Sequence, residues 1–497
     1  MSLAKNHDVV IIGSGLSALG GITACIEKKI KPCVIDIGKD PNLNLQKKID
    51  DLNKIKFTEW NDSQKKFLKY RFLSNNVQKL FFGSSYFYVN KKNTPPYSQA
   101  KGGMSAGWGA SVLPPAKSDI EDWPISYKII TDNIKKILQY YPLSGRNDEI
   151  SSIFPVLKKI KSLLLTSYDK FLIKRLATRK KNILVGQSRL MISTENNKKY
   201  SNCQYCGKCM SGCAYKSIFK SNIEINYFIK NNLINYLQHT KLIKYEKYEN
   251  RIKLTLKKRG KYFFIYAKKI FIACGPKANI EILNNSGFGK YNMNKIKSRG
   301  GYLLPVFTFK KINNEDFYFT EPSLFIEYKP KFLKHWVHIQ VSPRNEILKD
   351  YYLYEGKNIF RRMLNYIITN HIIIFNFNFH SDYSGYYIKN NNSFIFKNNY
   401  FGVFKQFIII LNFSFFLLSK FFIPLTILGK MNYNSFHVGS NLPMGKNKSG
   451  VTDINGQLPF QKNIFFIDSS ILPNIPATTL GLILLSNAYR IVKKNVK

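Results

Sequence analysis

The sequence of 497 residues has little cysteine and no long uncharged apolar run. Four of its seven cysteines lie within eleven residues, which excludes a framework of disulfides spread along the chain and favours a reducing compartment. The first apolar run, 9–12, is too short for the apolar segment of a signal peptide and leads directly into a glycine motif. We therefore expect a cytoplasmic protein.

Acidic residues are also scarce. Only 30 Asp and Glu oppose 76 Lys and Arg, which gives a formal net charge of +46. Such a charge alone indicates nucleic acid or an anionic membrane surface as a partner. The excess is mostly lysine, however, and accompanies abundant Asn, Ile, Phe and Tyr, a composition that an AT-rich genome produces without selection for binding. Because no basic cluster accompanies a nucleic-acid-binding motif, we expect no nucleic-acid partner.

The most apolar segment, 406–428, lacks the length of a bilayer span. The uncharged run between Lys405 and Lys420 has 14 residues, whereas a span needs roughly 20. Pro424 interrupts the pattern further on. The segment predicts a core helix, with a helix lying on a membrane surface, and hence peripheral membrane contact, as the alternative.

A dinucleotide-binding pattern begins the chain. Gly13-x-Gly15-x-x-Ala18 stands between an apolar strand pattern and a helical pattern, the arrangement that lets a pyrophosphate lie on a helix N-terminus. Asp36 ends the next predicted strand, 23 residues after Gly13, where a carboxylate bonds the ribose hydroxyls of an adenosine. This acid favours a free 2′-hydroxyl and argues against NADP.

A second glycine-rich segment, 102–110, predicts backbone packed closely against a flat or charged group. Its candidate ligand contacts are Gly102, Gly103, Ser105, Gly107 and Gly109. Further along, alternating or apolar runs predict an antiparallel sheet with few helices between about 286 and 400. The clearest of these runs are 302–309, 323–328, 336–341 and 372–379.

The cysteine cluster has the spacing Cys203-x2-Cys206-x2-Cys209-x3-Cys213. Closely spaced thiolates of this kind ligate the iron of a ferredoxin-type cluster, although Ala214 stands where a proline usually follows. A tetrahedral zinc site is the main alternative, and thiols that are free or joined in disulfides are a third. The metal at the cluster therefore stays open at this point.

Several segments together resemble the glucose-methanol-choline (GMC) family of FAD-dependent oxidoreductases. The C-terminal part has the run His437-Val438-Gly439, a small polar hairpin, and a strand that ends in Asp468-Ser469 before Pro473. The glycine-rich segment resembles that family's flavin loop. The segments that carry the resemblance, in order, are 102–110, 123–126, 273–287, 436–445, 450–456 and 464–473.

The resemblance implies an FAD cofactor held by the glycine motifs, Asp36, Asp468 and Ser469. It implies that His437 takes the proton of a substrate alcohol while the flavin takes the hydride. Where the family has a second His or Asn, this chain has Thr479, with Asn474 and Asn487 as nearby alternatives. Threonine hydrogen-bonds an alkoxide but is not a base. His437 therefore carries proton transfer alone, or the substrate is unusual, or the chain has lost alcohol oxidation.

Family habit implies a sugar or glycan-like alcohol as substrate. An iron-sulfur centre at the cysteines would pass single electrons to an external carrier and make the protein a dehydrogenase. The alternatives are oxidation of a lipid or sterol-like alcohol at a membrane surface, a redox-neutral flavoprotein, and a non-catalytic scaffold that retains the fold.

The predicted fold is an α/β FAD-binding domain of the Rossmann type, built from discontinuous segments, with an α+β substrate domain dominated by an antiparallel sheet. We assign residues 1–145, 215–285 and 431–497 to the FAD-binding domain. Residues 146–214 form a cysteine-cluster insertion, and residues 286–430 form the substrate-binding domain.

Overall fold

The structure is a computed structural model of the whole chain. It describes residues 6–40, 43–55, 59, 61, 63–64, 87–88, 94–206, 209, 213–289, 294–312, 322–342, 370–391, 393–425, 432–445, 451–459 and 461–496. The helices in these ranges are α1 (Leu16–Glu27), α2 (Leu43–Lys54), α3 (Tyr127–Ile137), α4 (Ser167–Leu176), α5 (Ser221–Lys230), α6 (Pro276–Asn285), α7 (Tyr400–Ser419) and α8 (Gly481–Asn495).

The strands of the described residues fall into two large sheets and a short hairpin. They are β1 (Asn6–Ile12), β2 (Cys33–Ile35), β3 (Phe87–Tyr88), β4 (Tyr97–Ser98), β5 (Ile183–Gln187), β6 (Asn235–Leu237), β7 (Thr240–Tyr248), β8 (Arg251–Lys258), β9 (Lys261–Ile272), β10 (Lys295–Thr308), β11 (Leu324–Tyr328), β12 (Val337–Ser342), β13 (Ile372–Phe379), β14 (Tyr386–Asn390), β15 (Ser393–Lys397), β16 (Phe422–Pro424), β17 (Asn432–Gly439) and β18 (Ile464–Phe466).

The first sheet has the order β6-β2-β1-β9-β8-β7, and β18 also pairs with β9. Strands β6, β2, β1, β9 and β18 run parallel, and β7 and β8 form an antiparallel extension. The consecutive buried residues Val9 to Ile12 suit a strand covered on both faces. The strand, glycine turn and helix predicted around Gly13 and Gly15 are therefore confirmed.

Helix α1 covers this sheet together with α8. The two helices lie very close, since a Cβ on Gly20 would be 2.1 Å from the backbone oxygen of Leu485. Ala18 is fully buried on the same helix. The small residues of α1 thus bring the last helix of the chain against the first, which draws the C-terminal segment to the glycine motif.

The second sheet is antiparallel and has the order β15-β14-β10-β13-β12-β11-β5, with β16 and β17 also on β10. The predicted antiparallel sheet is therefore confirmed, and with it the fold class of an α/β domain joined to an antiparallel-sheet domain. One face is covered by α7, where the buried Phe413 packs on Phe375 and Phe377.

Two strands of the second sheet come from outside the predicted substrate domain. β5 lies in the predicted cysteine-cluster insertion, and β17 lies in a segment assigned to the FAD-binding domain. The domain boundaries stay a prediction; the assigned ranges were 1–145, 215–285 and 431–497 for the FAD-binding domain and 286–430 for the substrate-binding domain. Because β5 and β17 pair within the second sheet, the chain crosses between the two sheets more often than these ranges would require.

Candidate active site

A cleft of about 990 Å³ lies between the two sheets. One wall of the cleft is formed at the C-terminal ends of β1, β2 and β9. Open parallel sheets bind their ligands at this edge. On the other side the cleft is bordered by residues of β10, β12, β13 and β17. The two predicted halves of the site, the glycine motif and His437, therefore line one continuous space.

The glycine motif places the start of α1 in the cleft. Gly13 has a φ of +104°, and a Cβ there would be 2.7 Å from the backbone oxygen of Ala273, so glycine is required. Gly15 caps α1 without a side-chain hydrogen bond, and the first turn holds no acidic residue. The first amides of α1 therefore receive no side-chain cap, and the positive end of the helix dipole meets the cleft.

The second glycine segment packs directly on the first. A Cβ on Gly103, whose φ is +57°, would be 3.0 Å from the Cα of Gly15. The amide of Gly102 donates to Ser14 Oγ at 2.8 Å, and Ser105 Oγ donates to the Gly102 oxygen at 2.7 Å. Gly103, Ser105, Gly107 and Gly109 line the cleft, whereas Gly102 and Ala18 do not and serve this packing.

Asp36 lies at the cleft wall just after β2. Its carboxylate accepts hydrogen bonds from Ser14 Oγ and, at 2.8 Å, from the hydroxyl of Tyr236. Burial raises the pKa of Asp36 to about 6, against the effect of these hydrogen bonds. The carboxylate is thus held at the end of β2, on the same cleft wall as the glycine motif.

Asp468 joins β18 to the start of α6. It accepts the Gly275 amide at 2.7 Å, the Asn279 side-chain amide at 3.0 Å and the Ser470 amide at 2.9 Å. Burial raises the pKa of Asp468, and these donors oppose that effect. Asp468 and the adjacent Ser469 both line the cleft, so the structure brings them to the same wall as the glycine motif.

His437 lies on β17 and lines the part of the cleft opposite the glycine motif. Its Nδ1 is enclosed and has no hydrogen-bond partner among the described residues. Burial, the guanidinium of Arg299 and then His338 lower its pKa well below the usual range. The ring is therefore neutral at physiological pH, with a nitrogen lone pair available to accept a proton.

Three residues were candidates for the second catalytic position, and of these Thr479 borders the cleft. Its Oγ1 accepts a hydrogen bond from the amide of Leu113 at 3.1 Å. Asn474 instead accepts the indole N–H of Trp123 at 3.0 Å, and Asn487 accepts Arg490 Nε at 3.0 Å on α8. Neither asparagine is part of the cleft wall.

Arg299 was not among the residues that the sequence predicted for the site. The side chain is buried and lines the cleft. Its Nε donates to Ser435 Oγ at 3.3 Å, the same hydroxyl that accepts the His437 amide at 3.1 Å. Its Nη1 donates to the Ala477 oxygen at 2.8 Å, two residues before Thr479. Arg299 therefore ties the His437 strand to the Thr479 loop and places a positive charge between them.

The amide side chains Gln340, Asn376 and Asn378 were also missed. They lie on neighbouring strands, with Gln340 opposite Asn376, and all three line the cleft. Behind them, His338 Nδ1 lies 2.7 Å from Glu327 Oε1, and His338 Nε2 lies 3.1 Å from the Gln340 amide nitrogen. No sequence motif carries these residues, because each is a single polar position in an alternating strand.

The four cysteines surround a small void of about 20 Å³, and Cys209 also borders the main cleft. None of them is in a disulfide. Among the described residues, the sole group of three or more His, Cys, Asp or Glu ligand atoms within 4.8 Å of one another is His335, His380 and Asp382. The thiols are thus gathered around one point but are not closed into a tight tetrahedron, whose sulfurs lie about 2.3 Å from a zinc ion.

The His335 group is an ion network and not a metal site. The rings of His335 and His380 stack with centroids 3.6 Å apart and planes 15° apart, so their nitrogens do not converge in plane on one ion. His335 lies 3.3 Å from Asp119 through Nδ1 and 3.3 Å from Asp382 through Nε2. Burial opposes the charge, but the hydrogen bonds to both carboxylates outweigh it and raise the pKa of His335.

No protein-family model matches this chain, and no curated protein matches it. The fold joins an α/β domain, whose first strand and helix carry the glycine motif, to an antiparallel-sheet domain. A solved structure with this fold is the pyridoxine 4-oxidase of Mesorbium loti. It has a TM-score of 0.67, covers 99% of this chain and 99% of that chain, and is 12% identical in sequence. At this identity the likeness shows the fold.

Proposed function

We propose that this chain is an FAD-dependent oxidoreductase that oxidises the CH–OH group of a hydroxyl-rich alcohol. The observation that carries the proposal is the single cleft that has the uncapped start of α1 and Asp36 at one end and a neutral His437 at the other. The solved neighbour is, by its name, an oxidase of pyridoxine, which supports the same class of chemistry.

The dinucleotide part of the cleft fits FAD. The amides at the start of α1 would receive the pyrophosphate, and Asp36 would bond the adenosine ribose. The wall formed by the glycine-rich segment, Asp468 and Ser469 would hold the rest of the cofactor. When bound, FAD supplies the hydride acceptor that no side chain provides.

His437 is the proposed proton acceptor. Its lowered pKa means that the ring is unprotonated before the reaction, as a base must be. The same positive charge of Arg299 that lowers this pKa stabilises negative charge that develops in the cleft as the hydroxyl is oxidised. Thr479, at the end of the loop that Arg299 holds, would hydrogen-bond the substrate oxygen and orient it.

The substrate is proposed to carry several hydroxyl groups. Gln340, Asn376 and Asn378 offer neutral donors and acceptors on one wall of the cleft, which suits a sugar, a glycan end or another polyol. Pyridoxine, which has a hydroxymethyl group, is a second candidate because of the solved neighbour. A lipid or sterol-like alcohol would instead place apolar surface against these polar side chains.

The test is anaerobic reduction of the bound flavin by a panel of sugars, polyols, pyridoxine and a long-chain alcohol. We expect a hydroxyl-rich member to bleach the flavin, and H437N to slow bleaching by about 10²–10⁴-fold while it retains FAD. H239N, at an exposed histidine with a φ of +58° that asparagine tolerates, is the matched control. Bound flavin that no alcohol reduces would favour a redox-neutral flavoprotein or a scaffold.

We further propose that Cys203, Cys206, Cys209 and Cys213 would hold an iron-sulfur centre, which would supply one-electron transfer to an external carrier. Convergence on one void, and the position of Cys209 on the cleft wall, support this role. Iron, zinc and sulfide analysis of anaerobically purified protein tests it, with C25A, at a buried thiol of α1, as the control for C209S. Iron with sulfide, lost in C209S alone, is the expected result; zinc without sulfide would make the cluster a structural clip.

A further inference from the structure

Helix α7 has two apolar faces, and only one of them belongs to the core. Ile409, Phe413 and Leu417 are fully buried against the second sheet. Seven large residues on the opposite side are exposed, and four phenylalanines among them are 58–67% exposed. We call this side the outer face of α7; it comprises Tyr400, Phe401, Phe404, Phe407, Leu411, Phe415 and Leu418.

The outer face continues beyond the helix. Phe421, which is 67% exposed, and Ile423 follow it into β16. Helix α7 has 20 residues and is therefore about 30 Å long. The exposed apolar side chains follow this whole length, so they form a continuous strip and are not isolated surface residues. Contiguous apolar surface of this extent marks an interaction site in a soluble protein.

The surroundings of the outer face are positively charged. No Asp or Glu occurs in the sequence from 383 to 452, a stretch that contains seven lysines. Asp382 lies near the start of α7, since the Asn399 side chain donates to its backbone oxygen, but its carboxylate is engaged by His335. The described charged residues of this stretch are therefore all lysines, and two of them, Lys405 and Lys420, lie within α7 and directly after it.

A basic rim adjoins the far end of α7. Arg175 lies over the ring of Phe421 at 4.8 Å and donates to the Lys420 oxygen at 2.9 Å. Lys420 Nζ in turn donates to the Ala177 oxygen at 3.0 Å. The rim is defined by six exposed cations, which are Lys170, Lys174, Arg175, Arg179, Lys180 and Lys181.

We propose that the outer face of α7 and this rim bind the surface of an anionic lipid bilayer. The aromatic side chains would enter the boundary between headgroups and acyl chains, and the cations would meet anionic headgroups. The expectation that this segment is too short to cross a bilayer was wrong, because α7 extends past Lys405 to 20 residues and is long and apolar enough by length and composition. Its buried face packs on the sheet, however, so the helix lies on the membrane surface and does not cross it. A second copy of this chain, with its own charge of +46, would be repelled.

Membrane contact leaves the cleft free. Along β13, Phe375 and Phe377 point to α7, whereas Ile374, Asn376 and Asn378 line the cleft on the opposite face of the sheet. The lipid-binding surface and the candidate active site are thus separated by the sheet itself. Lipid binding and alcohol oxidation therefore succeed or fail independently.

The experiment is sedimentation of the purified full chain with vesicles of phosphatidylcholine alone and with vesicles that contain phosphatidylglycerol. We expect binding to the anionic vesicles, weakened by salt. F404Q/F407Q should lower the partition coefficient by roughly a hundredfold, about tenfold for each phenylalanine withdrawn from lipid. Y262Q/F264Q removes two exposed aromatic residues from β9, on the other sheet, and should bind as the wild type does.

Unchanged thermal unfolding of F404Q/F407Q shows that the fold is intact. No sedimentation with anionic vesicles would overturn the proposal. So would binding that F404Q/F407Q leaves unchanged, because charge alone would then explain it. A concentration-dependent dimer that the same variant abolishes, without vesicle binding, would assign the outer face to a second copy instead.

Discussion

Replacement of Asp468 by alanine tests how the C-terminal segment is fixed to the dinucleotide part of the cleft. In D468A the Gly275 amide loses the acceptor that it has at 2.7 Å, and the Ser470 amide loses one at 2.9 Å. The Asn279 side chain keeps a partner, because it also donates to Ser470 Oγ at 2.7 Å. Two donors are thus left without their acceptor.

Each buried donor without a partner costs about 1–3 kcal/mol. Gly275 and Asp468 border the cleft, where water replaces part of the loss, so we expect D468A to lower the free energy of unfolding by about 2–4 kcal/mol. D468N keeps one acceptor oxygen and resembles the neutral carboxyl that burial favours, so it should cost about 1–2 kcal/mol.

The assay is urea unfolding followed by circular dichroism, on protein freed of cofactor. Asp132, an exposed residue of α3 paired with Lys128, provides the control D132A, whose midpoint should equal that of the wild type. A midpoint for D468A equal to that of D132A would refute the view that Asp468 organises this wall. Added FAD should then raise the midpoint of the wild type more than that of D468A.

Two further predictions concern backbone conformation and charge. G13A, which puts a Cβ 2.7 Å from the Ala273 oxygen at a φ of +104°, should lose FAD and lower the thermal midpoint; retention of both would contradict the role of this turn. Because the pKa of His335 is raised, the stability from its bonds to Asp119 and Asp382 is complete below about pH 6.5 and lost above its folded pKa. H335Q should therefore lower the thermal midpoint at pH 6 more than at pH 8.5, and an equal loss at both would count against a charged His335.

The sequence predicted those parts of the fold in which local spacing is decisive. The glycine turn at Gly13 and Gly15 fixes β1, α1 and β2, because only glycine allows the conformation and the close approach. The alternating runs of the second sheet were recognised for the same reason, since strand periodicity is local. The resemblance located His437, and the structure places it in the same cleft as the glycine motif.

The rest depends on long-range pairing that spacing does not encode. Arg299 is one basic residue among many in a chain rich in lysine, and only the pairing of β10 with β17 brings it to Ser435 and the His437 strand. The amides of the cleft wall likewise meet through the register of β12 and β13. The segment of α7 was predicted as a core helix, with a helix on a membrane surface as the alternative. One face of α7 does lie in the core, but the helix is apolar on both sides, so periodicity could not show which residues are exposed.

The absorbance spectrum of the purified full chain, with mass analysis of the small molecule released on heating, tests the proposed cofactor most directly. We predict the two absorbance bands of an oxidised flavin and release of FAD, both retained in H437N and lost in G13A. A chain that folds cooperatively, shows no flavin and takes up none when FAD is added would contradict the assignment of the cleft to an FAD-dependent oxidoreductase.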